Sequence, residues 1–299
     1  MPPDAMADLN SNCRSFIGII TAWPHLVQGT VSRGARSPEI KFFAPQPAHA
    51  AISGVLAEAW GNDDFAPPEP RAAVLLAASA HDDGWAEWEA EPGLNTRGEP
   101  AHFTEMAVAE HLAIWRRGVR RMLDRDPYAA LLVSLHGAGL YRGGLDEARD
   151  SPEARRQVEA FLAEQDDLQR QLRRDLREDP AFSEAVAETI LMHNARLIQL
   201  WDWLSLLLCC GRPEAQVIGA AAGRSPGERV DLSLHPRDEL TLRLKPYPFR
   251  ESPLPLTVSG RVTPRGPFPD RETFLKTFRE APAETLTFRV ERGSAWSGR

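Results

Sequence analysis

Six residues spread along the chain could do chemistry together: His49, the adjacent pair His81-Asp82, His111, His136 and Asp202. Each of the four histidines lies on the apolar side of a separate helical pattern. Val74, Ala77 and Ala78 lie on one side of a short apolar segment, and His81 continues that stripe before Asp82 leads into the turn at Gly84. Burying either member of a His-Asp pair without a partner is costly. A structural hydrogen bond would satisfy one such pair, and a hydrogen-bonded core position would explain one buried histidine. Four histidines on four helices, with Asp82, point instead to a shared centre. Neutral imidazole and carboxylate are the donors used by Zn, Fe and Mn sites. The expected cofactor is therefore a divalent metal (Mn, Fe, Zn or Mg), with donors enough for two ions.

The last long helix offers both His193 and Asp202. They are nine residues apart, so at 100° per residue they point in opposite directions. Asp202 has Ile198 and Leu206 one turn to either side, whereas His193 has Thr189 and Arg196 nearby. A carboxylate among apolar neighbours needs a partner, so Asp202 is the expected ligand. His102 is a reserve ligand. Arg142 follows the glycines after His136 and could hold an anionic group of a substrate. Asp83 is a candidate proton acceptor, and Trp85 and Trp88 could wall a pocket.

The elements that must position these residues are mostly helical. Pro47 opens a pattern with His49, Ile52, Ser53 and Leu56 on one face, ending at Trp60-Gly61. Pro70 precedes the His81 helix, and Gly84 ends it. Thr104 caps a helix to about Arg125, and Asp126-Pro127 opens the segment carrying His136. Ser151-Pro152-Glu153 starts a long charged helix to about Asp179, and Ser183 caps a helix reaching Cys210. Residues 211–227 read as a linker. Beyond it the period changes to two, giving half-buried strands at Val230–Leu234, Glu239–Leu244 and Leu256–Val262. A helix over Asp270–Glu280 and a strand over Thr285–Val290 follow. Phe16–Ile20 and Glu39–Phe43 are candidate strands that could complete this unit.

With 299 residues, 42% of them hydrophobic and 26% charged, the composition is that of a globular protein with a sizeable core. A net charge of -7 weighs against a nucleic-acid partner. Three cysteines make no disulfide framework and no zinc ribbon, which favours a reducing, cytoplasmic setting. The longest apolar run is too short to cross a bilayer, and the N-terminus does not read as a signal peptide.

The order His49, His81-Asp82, His111, His136, Asp202 resembles the HD-domain superfamily. That resemblance implies that His49, His81 and Asp202 hold one cation, that His111 and His136 hold a second, and that Asp82 bridges them. At closer range, His81-Asp82-Asp83-Gly84-Trp85, the segment Asp126 to Gly137, and Leu200-Trp201-Asp202-Trp203-Leu204 resemble the bacterial family known as domain of unknown function 3891, which brings no established activity.

The expected fold is mainly α: an irregular segment over 1–44, an HD-like helical core over 45–211, and a small C-terminal antiparallel α+β appendage over 228–299. The expected function is metal-dependent hydrolysis of a small phosphate ester or similar anionic small molecule, with water activated by the cations as nucleophile. An HD-like di-iron oxygenase and a non-catalytic metal-stabilised binding module use the same ligands and are the alternatives.

Overall fold

Helix α1 (Gln46–Ala59) begins after Pro45 and buries His49, Ile52, Ser53 and Leu56. Helix α2 (Arg71–Ala80) follows Pro70, buries Val74, Ala77 and Ala78, and is capped by His81. A single 3-10 turn at Asp83–Trp85 leads into the short α3 (Ala86–Ala90). That turn depends on Gly84. A Cβ there would meet the Ile114 carbonyl oxygen at 2.3 Å and the Gly118 nitrogen at 2.9 Å, on helix α4 (Val108–Leu123). The backbone after the His-Asp pair is thus pressed directly onto α4.

Helix α5 (Pro127–Arg142) starts as its Asp-Pro sequence predicts, with Asp126 Oδ1 accepting the Ala129 N–H at 2.7 Å. Ser151 caps α6 (Pro152–Arg177) by accepting from the Ala154 N–H. Helix α7 (Glu188–Cys209) follows. Helix α5 is buried continuously from Tyr128 to Gly139, and α7 from Leu191 to Ser205. Helices apolar all round are central helices, and the other helices pack around these two. Helix α8 (Arg271–Glu280) is short and capped by Asp270.

The strands are β1 (Thr21–Ala22), β2 (Ile40–Phe43), β3 (Gln216–Ala222), β4 (Arg229–Asp238), β5 (Thr241–Lys245), β6 (Leu254–Pro264) and β7 (Ala283–Arg292). They form one seven-stranded sheet in the order β1-β2-β6-β7-β5-β4-β3. All neighbours are antiparallel except β5 and β7, which run parallel. The computed structural model describes residues 21–22, 40–101, 106–142, 151–209, 215–238, 240–264 and 266–293. The candidate strand at Phe16–Ile20, Thr104 and His102 lie outside these. No described helix is long and apolar enough to cross a membrane.

This architecture corrects the expectation of a mainly α protein with an all-α core and a small appendage. The protein is α/β, 53% helix and 22% strand, and its sheet curls into a half-barrel. One buried cluster joins Ile52, Leu56, Leu131 and Leu204 of the helices to Leu232, Leu244, Leu256 and Phe288 of the strands. Helix α1 packs on β6 and α7 on β3. Trp60 at the end of α1 meets Trp201 of α7 at 5.7 Å and Phe249, just beyond β5, at 5.8 Å between ring centroids. The candidate strand at Glu39–Phe43 does join the C-terminal strands, as β2 paired with residues 261–264. The strand missed is β3, which lies in the stretch that reads as a linker, because the run Gly219-Ala220-Ala221-Ala222 has little β-propensity. Its pairing with β4 and its packing on α7 supply what local preference does not.

Candidate metal centre

Four helices deliver five donor residues to one buried cluster. His49 comes from the first turn of α1, His81 and Asp82 from the end of α2, His136 from the middle of α5, and Asp202 from the middle of α7. All five residues are at most 7% exposed. His49 Nε2 lies 2.6 Å from Asp82 Oδ2, and His81 Nε2 lies 3.2 Å from Asp202 Oδ1 and 3.6 Å from Asp82 Oδ2. His136 Nε2 is 3.6 Å from Asp202 Oδ2, and His49 Nδ1 is 3.8 Å from Asp202 Oδ1. Two triads, His49/His81/Asp82 and His81/His136/Asp202, each have ligand atoms within 4.8 Å of one another.

The hydrogen bonds behind the rings decide which way their lone pairs point. His81 Nδ1 lies 2.9 Å from the Ala78 carbonyl oxygen, which can only accept. The Nδ1 proton is therefore spent there, and the neutral ring presents its Nε2 lone pair to Asp82 and Asp202. On α7, Ser205 Oγ donates to the Asp202 carbonyl at 2.7 Å and accepts from Ser53 Oγ at 3.1 Å. With its proton committed, Ser205 accepts from His49 Nδ1 at 2.9 Å, which turns the Nε2 lone pair of His49 toward Asp82. Backing of this kind, an outer partner holding one imidazole nitrogen so that the other can ligate, is the usual support of metal-binding histidine.

Two lone pairs facing carboxylates need a positive charge between them. A proton can supply it. Burial pulls the His81 imidazole down, but the Asp82 charge and the hydrogen bond and charge of Asp202 outweigh burial and raise it to about 9. Burial pushes both carboxyls up, yet His81 with His49 holds Asp82 low, and His81 and His136 hold Asp202 low. His136 stays neutral, drawn down to about 4 by burial against the pull of Asp202, and its Nδ1 is buried without a partner.

A divalent cation would supply the charge equally well. Bonds of about 2.0–2.2 Å put neighbouring ligand atoms about 2.9–3.6 Å apart in octahedral or tetrahedral coordination. The separations of 3.2, 3.6 and 3.6 Å within the two triads fall in that range, and the His49–Asp82 contact would open by a few tenths of an ångström. The residues present fit a metal.

His111 does not join them. Its Nε2 accepts from the Trp115 indole N–H at 3.3 Å and its Nδ1 meets the Tyr141 hydroxyl at 2.5 Å. Both ring nitrogens are thereby engaged, and burial draws the imidazole down to about 4. With Trp85, whose ring lies 5.3 Å away, His111 belongs to an aromatic wall. Trp85 in turn meets Trp88 edge-on at 5.8 Å. Trp115 extends the wall to His136, its ring 5.7 Å away, and Gly137 makes room for it: a Cβ there would stand 2.6 Å from the indole.

The two candidate catalytic side chains are also engaged elsewhere. Asp83 Oδ2 accepts from Arg125 at 2.9 Å, and Arg142 pairs with Asp166 of α6. His193 is buried on the side of α7 away from Asp202 and belongs to neither triad.

One acidic residue near the centre escaped sequence reasoning. Glu89 of α3 accepts the backbone N–H of Gln46, at the start of α1, through Oε1 at 2.7 Å, while Oε2 is buried without a partner. Burial, with the Asp82 charge adding to it, pushes this carboxyl up to about 8 against the Gln46 hydrogen bond. Glu89 lies in a charged run, Glu87 to Glu91, that looks like a solvated face. Only the fold of α3 onto α1 turns one of these acids inward. Ser53 and Ser205 were equally invisible as supports, since serine in a helix carries no chemical signature.

Residues 39–265 match the family described as "Protein of unknown function (DUF3891)". No curated protein and no solved structure matches the chain.

Proposed function

The chain belongs to the DUF3891 family, and from that premise we propose that it is a metal-dependent hydrolase of a small anionic ester, built on a single-cation His/Asp centre. The observation that carries this reading is the pair of backed histidines, His49 and His81, whose Nε2 lone pairs face two buried carboxylates. His49, His81, His136, Asp82 and Asp202 would hold the ion. One imidazole nitrogen has one lone pair, so two triads sharing His81 Nε2 favour one cation position rather than a bridged pair. Both nitrogens of His111 already have partners, which removes the donor that a second cation, hydrolytic or di-iron, would need. The order His, His-Asp, Asp that resembles HD proteins is retained here as a likeness of ligand order.

Three nitrogen and two oxygen donors suit Mn, Fe or Zn better than Mg, which prefers oxygen. A bound ion would need a place beside these donors for an oxygen of water or substrate. A bound divalent cation supplies Lewis acidity there, polarising a substrate oxygen and making water acidic enough to attack near neutral pH. Ala78 and Ser205 hold the His81 and His49 rings in the ligating tautomer. The buried aromatic wall of Trp85, Trp115 and Tyr141 keeps bulk water away and strengthens electrostatic interactions inside. Glu89, protonated near neutrality with Oε2 unpartnered, holds a proton close to Asp82 and can exchange it with a leaving group or with attacking water.

The test is metal content and turnover together. Protein purified without added metal should carry one Mn, Fe or Zn per chain and hydrolyse chromogenic phosphate esters, and His81→Ala should lose both. Two metals per chain, or a full complement of metal in His81→Ala, would refute the single-cation centre. One metal with no turnover on any ester would leave a closed, structural ion and refute the hydrolase.

A further inference from the structure

A second group of buried polar atoms lies along α7, starting at His193 on the side opposite Asp202. His193, Arg196 and Gln199 are 3%, 5% and 6% exposed, and at three-residue steps they follow one side of the helix. His193 Nδ1, Arg196 Nε and both amide atoms of Gln199 are buried without hydrogen-bond partners, as is the Trp203 indole nitrogen one turn on. The one hydrogen bond of the Arg196 guanidinium goes to the Met192 carbonyl, at 3.3 Å. Among the described residues no carboxylate pairs with Arg196. Glu188, whose charge reaches it, is held by Arg173.

A second cation faces the same place. Arg229, at the start of β4, repels both Arg196 and His193, and with burial draws Arg196 down to about 10 and His193 to about 4. The β3–β4 turn lies against the first turn of α7, where a Cβ on Gly227 would stand 3.2 Å from Thr189 Cγ2. Among the described residues Arg229 donates only to its neighbour's carbonyl, that of Glu228, and Glu228 is bonded by Ser225. An unpaired buried guanidinium is strongly unfavourable, and a second positive charge beside it adds to that cost. A fold does not retain such a group cheaply unless something negative meets it.

We propose that His193, Arg196, Gln199 and Arg229 form a binding site for a phosphate group, running along α7 from the side opposite Asp202. The donors and the acceptor both fit. Arg196, Arg229, the Gln199 amide and His193 Nδ1, in the tautomer that carries its proton, offer N–H groups to oxyanion oxygens. Gln199 Oε1 can accept from the hydroxyl that a hydrogen phosphate still carries. A carboxylate would satisfy the arginines and leave that acceptor unpaired. Two arginines also match the charge of a phosphate dianion more closely than that of a carboxylate. The site could take inorganic phosphate or a phosphomonoester, and none of its residues belongs to either His/Asp triad, which makes it a second site rather than part of the reaction centre.

The experiment uses the full chain, chelated and carrying Asp202→Asn, so that phosphate on a metal contributes nothing and failure of the hydrolase leaves the result readable. Inorganic phosphate is titrated by calorimetry, with acetate in parallel, and thermal unfolding is followed in both. One phosphate should bind per chain and raise the melting temperature, with acetate binding far more weakly. Arg229→Gln, at an exposed position, should weaken phosphate at least about tenfold, the loss of one charge-assisted hydrogen bond. Arg196→Met should abolish binding and, having removed an unpaired buried charge, melt no lower than its parent without phosphate. Absence of any phosphate effect at millimolar concentration overturns the proposal. So does equal binding by Arg229→Gln, and so does acetate binding as tightly as phosphate, which would assign the site to carboxylates. If Arg196→Met does not fold, Arg229→Gln and the acetate comparison still decide.

Discussion

Asp202→Asn is the sharpest probe of the proposed centre, because one carboxylate stands within 3.8 Å of three imidazoles. The substitution keeps the shape of the side chain and removes its charge. Loss of an outer partner of a metal ligand costs about 10–100-fold in affinity, so loss of a charged ligand should cost at least the upper figure. At a metal concentration one hundred times the wild-type Kd, binding stabilises the fold by about 2.7 kcal/mol. For the variant the same concentration is about equal to its Kd, and the stabilisation falls to about 0.4 kcal/mol. A chain of this size gains about 2 °C in melting temperature per kcal/mol. Metal should thus raise the wild-type melting temperature by about 5 °C and that of Asp202→Asn by under about 1 °C. The assay is thermal unfolding of chelated, dialysed protein with Mn, Fe(II) or Zn added back, alongside metal content by elemental analysis. His193→Gln, on the other side of α7, is the control and should respond like wild type. An unchanged metal-dependent shift in Asp202→Asn, or a greater loss in His193→Gln, would refute the centre as described.

Above pH 6.5, metal-free protein should lose stability as pH rises. His81 is raised in the fold to about 9 from 6.5, so its contribution, about 3 kcal/mol at most, is whole below pH 6.5 and gone above 9. Glu89 acts in the same direction, since it stays protonated in the fold up to about 8. At the acid end, Asp82 and Asp202 are held low, so their contribution is lost as pH falls below about 4. A melting temperature that climbs between pH 6.5 and 9.5 in chelator would contradict this. Glu89→Gln should retain metal while losing about 100-fold or more in turnover, within the range for a removed acid–base group, and unaltered kinetics would exclude Glu89 from the reaction. Gly137→Ala should cost roughly 1–3 kcal/mol through overpacking, because its Cβ would fall 2.6 Å from the Trp115 ring. Differential scanning calorimetry measures this, and an unaltered melting temperature would contradict the packing.

Local sequence determined the helices that carry the centre. Caps and breakers such as Asp126-Pro127, Ser151-Pro152 and Pro70 act within one turn of the chain, so the starts of α2, α5 and α6 are legible to within a residue or two. The 3.6-residue period also separated Asp202 from His193, since direction around one helix needs no tertiary information. Convergence between helices is a different matter. Whether four histidines meet depends on how α1, α2, α4 and α5 pack, and α4 approaches through Gly84 and Gly118 in a way that gives His111 to Trp115 and Tyr141. The same packing turned Glu89 inward, out of a charged run that looks solvated. The sheet lies furthest from sequence logic: β2 finds its partner about 220 residues away, and β3 is a strand because β4 and α7 lie against it. Alternation marks β4 to β7 as strands, but which distant segments pair, and that β3 is a strand at all, leaves no trace in either segment alone. The tertiary structure therefore decided that this is an α/β protein and which of its acids and histidines share a site.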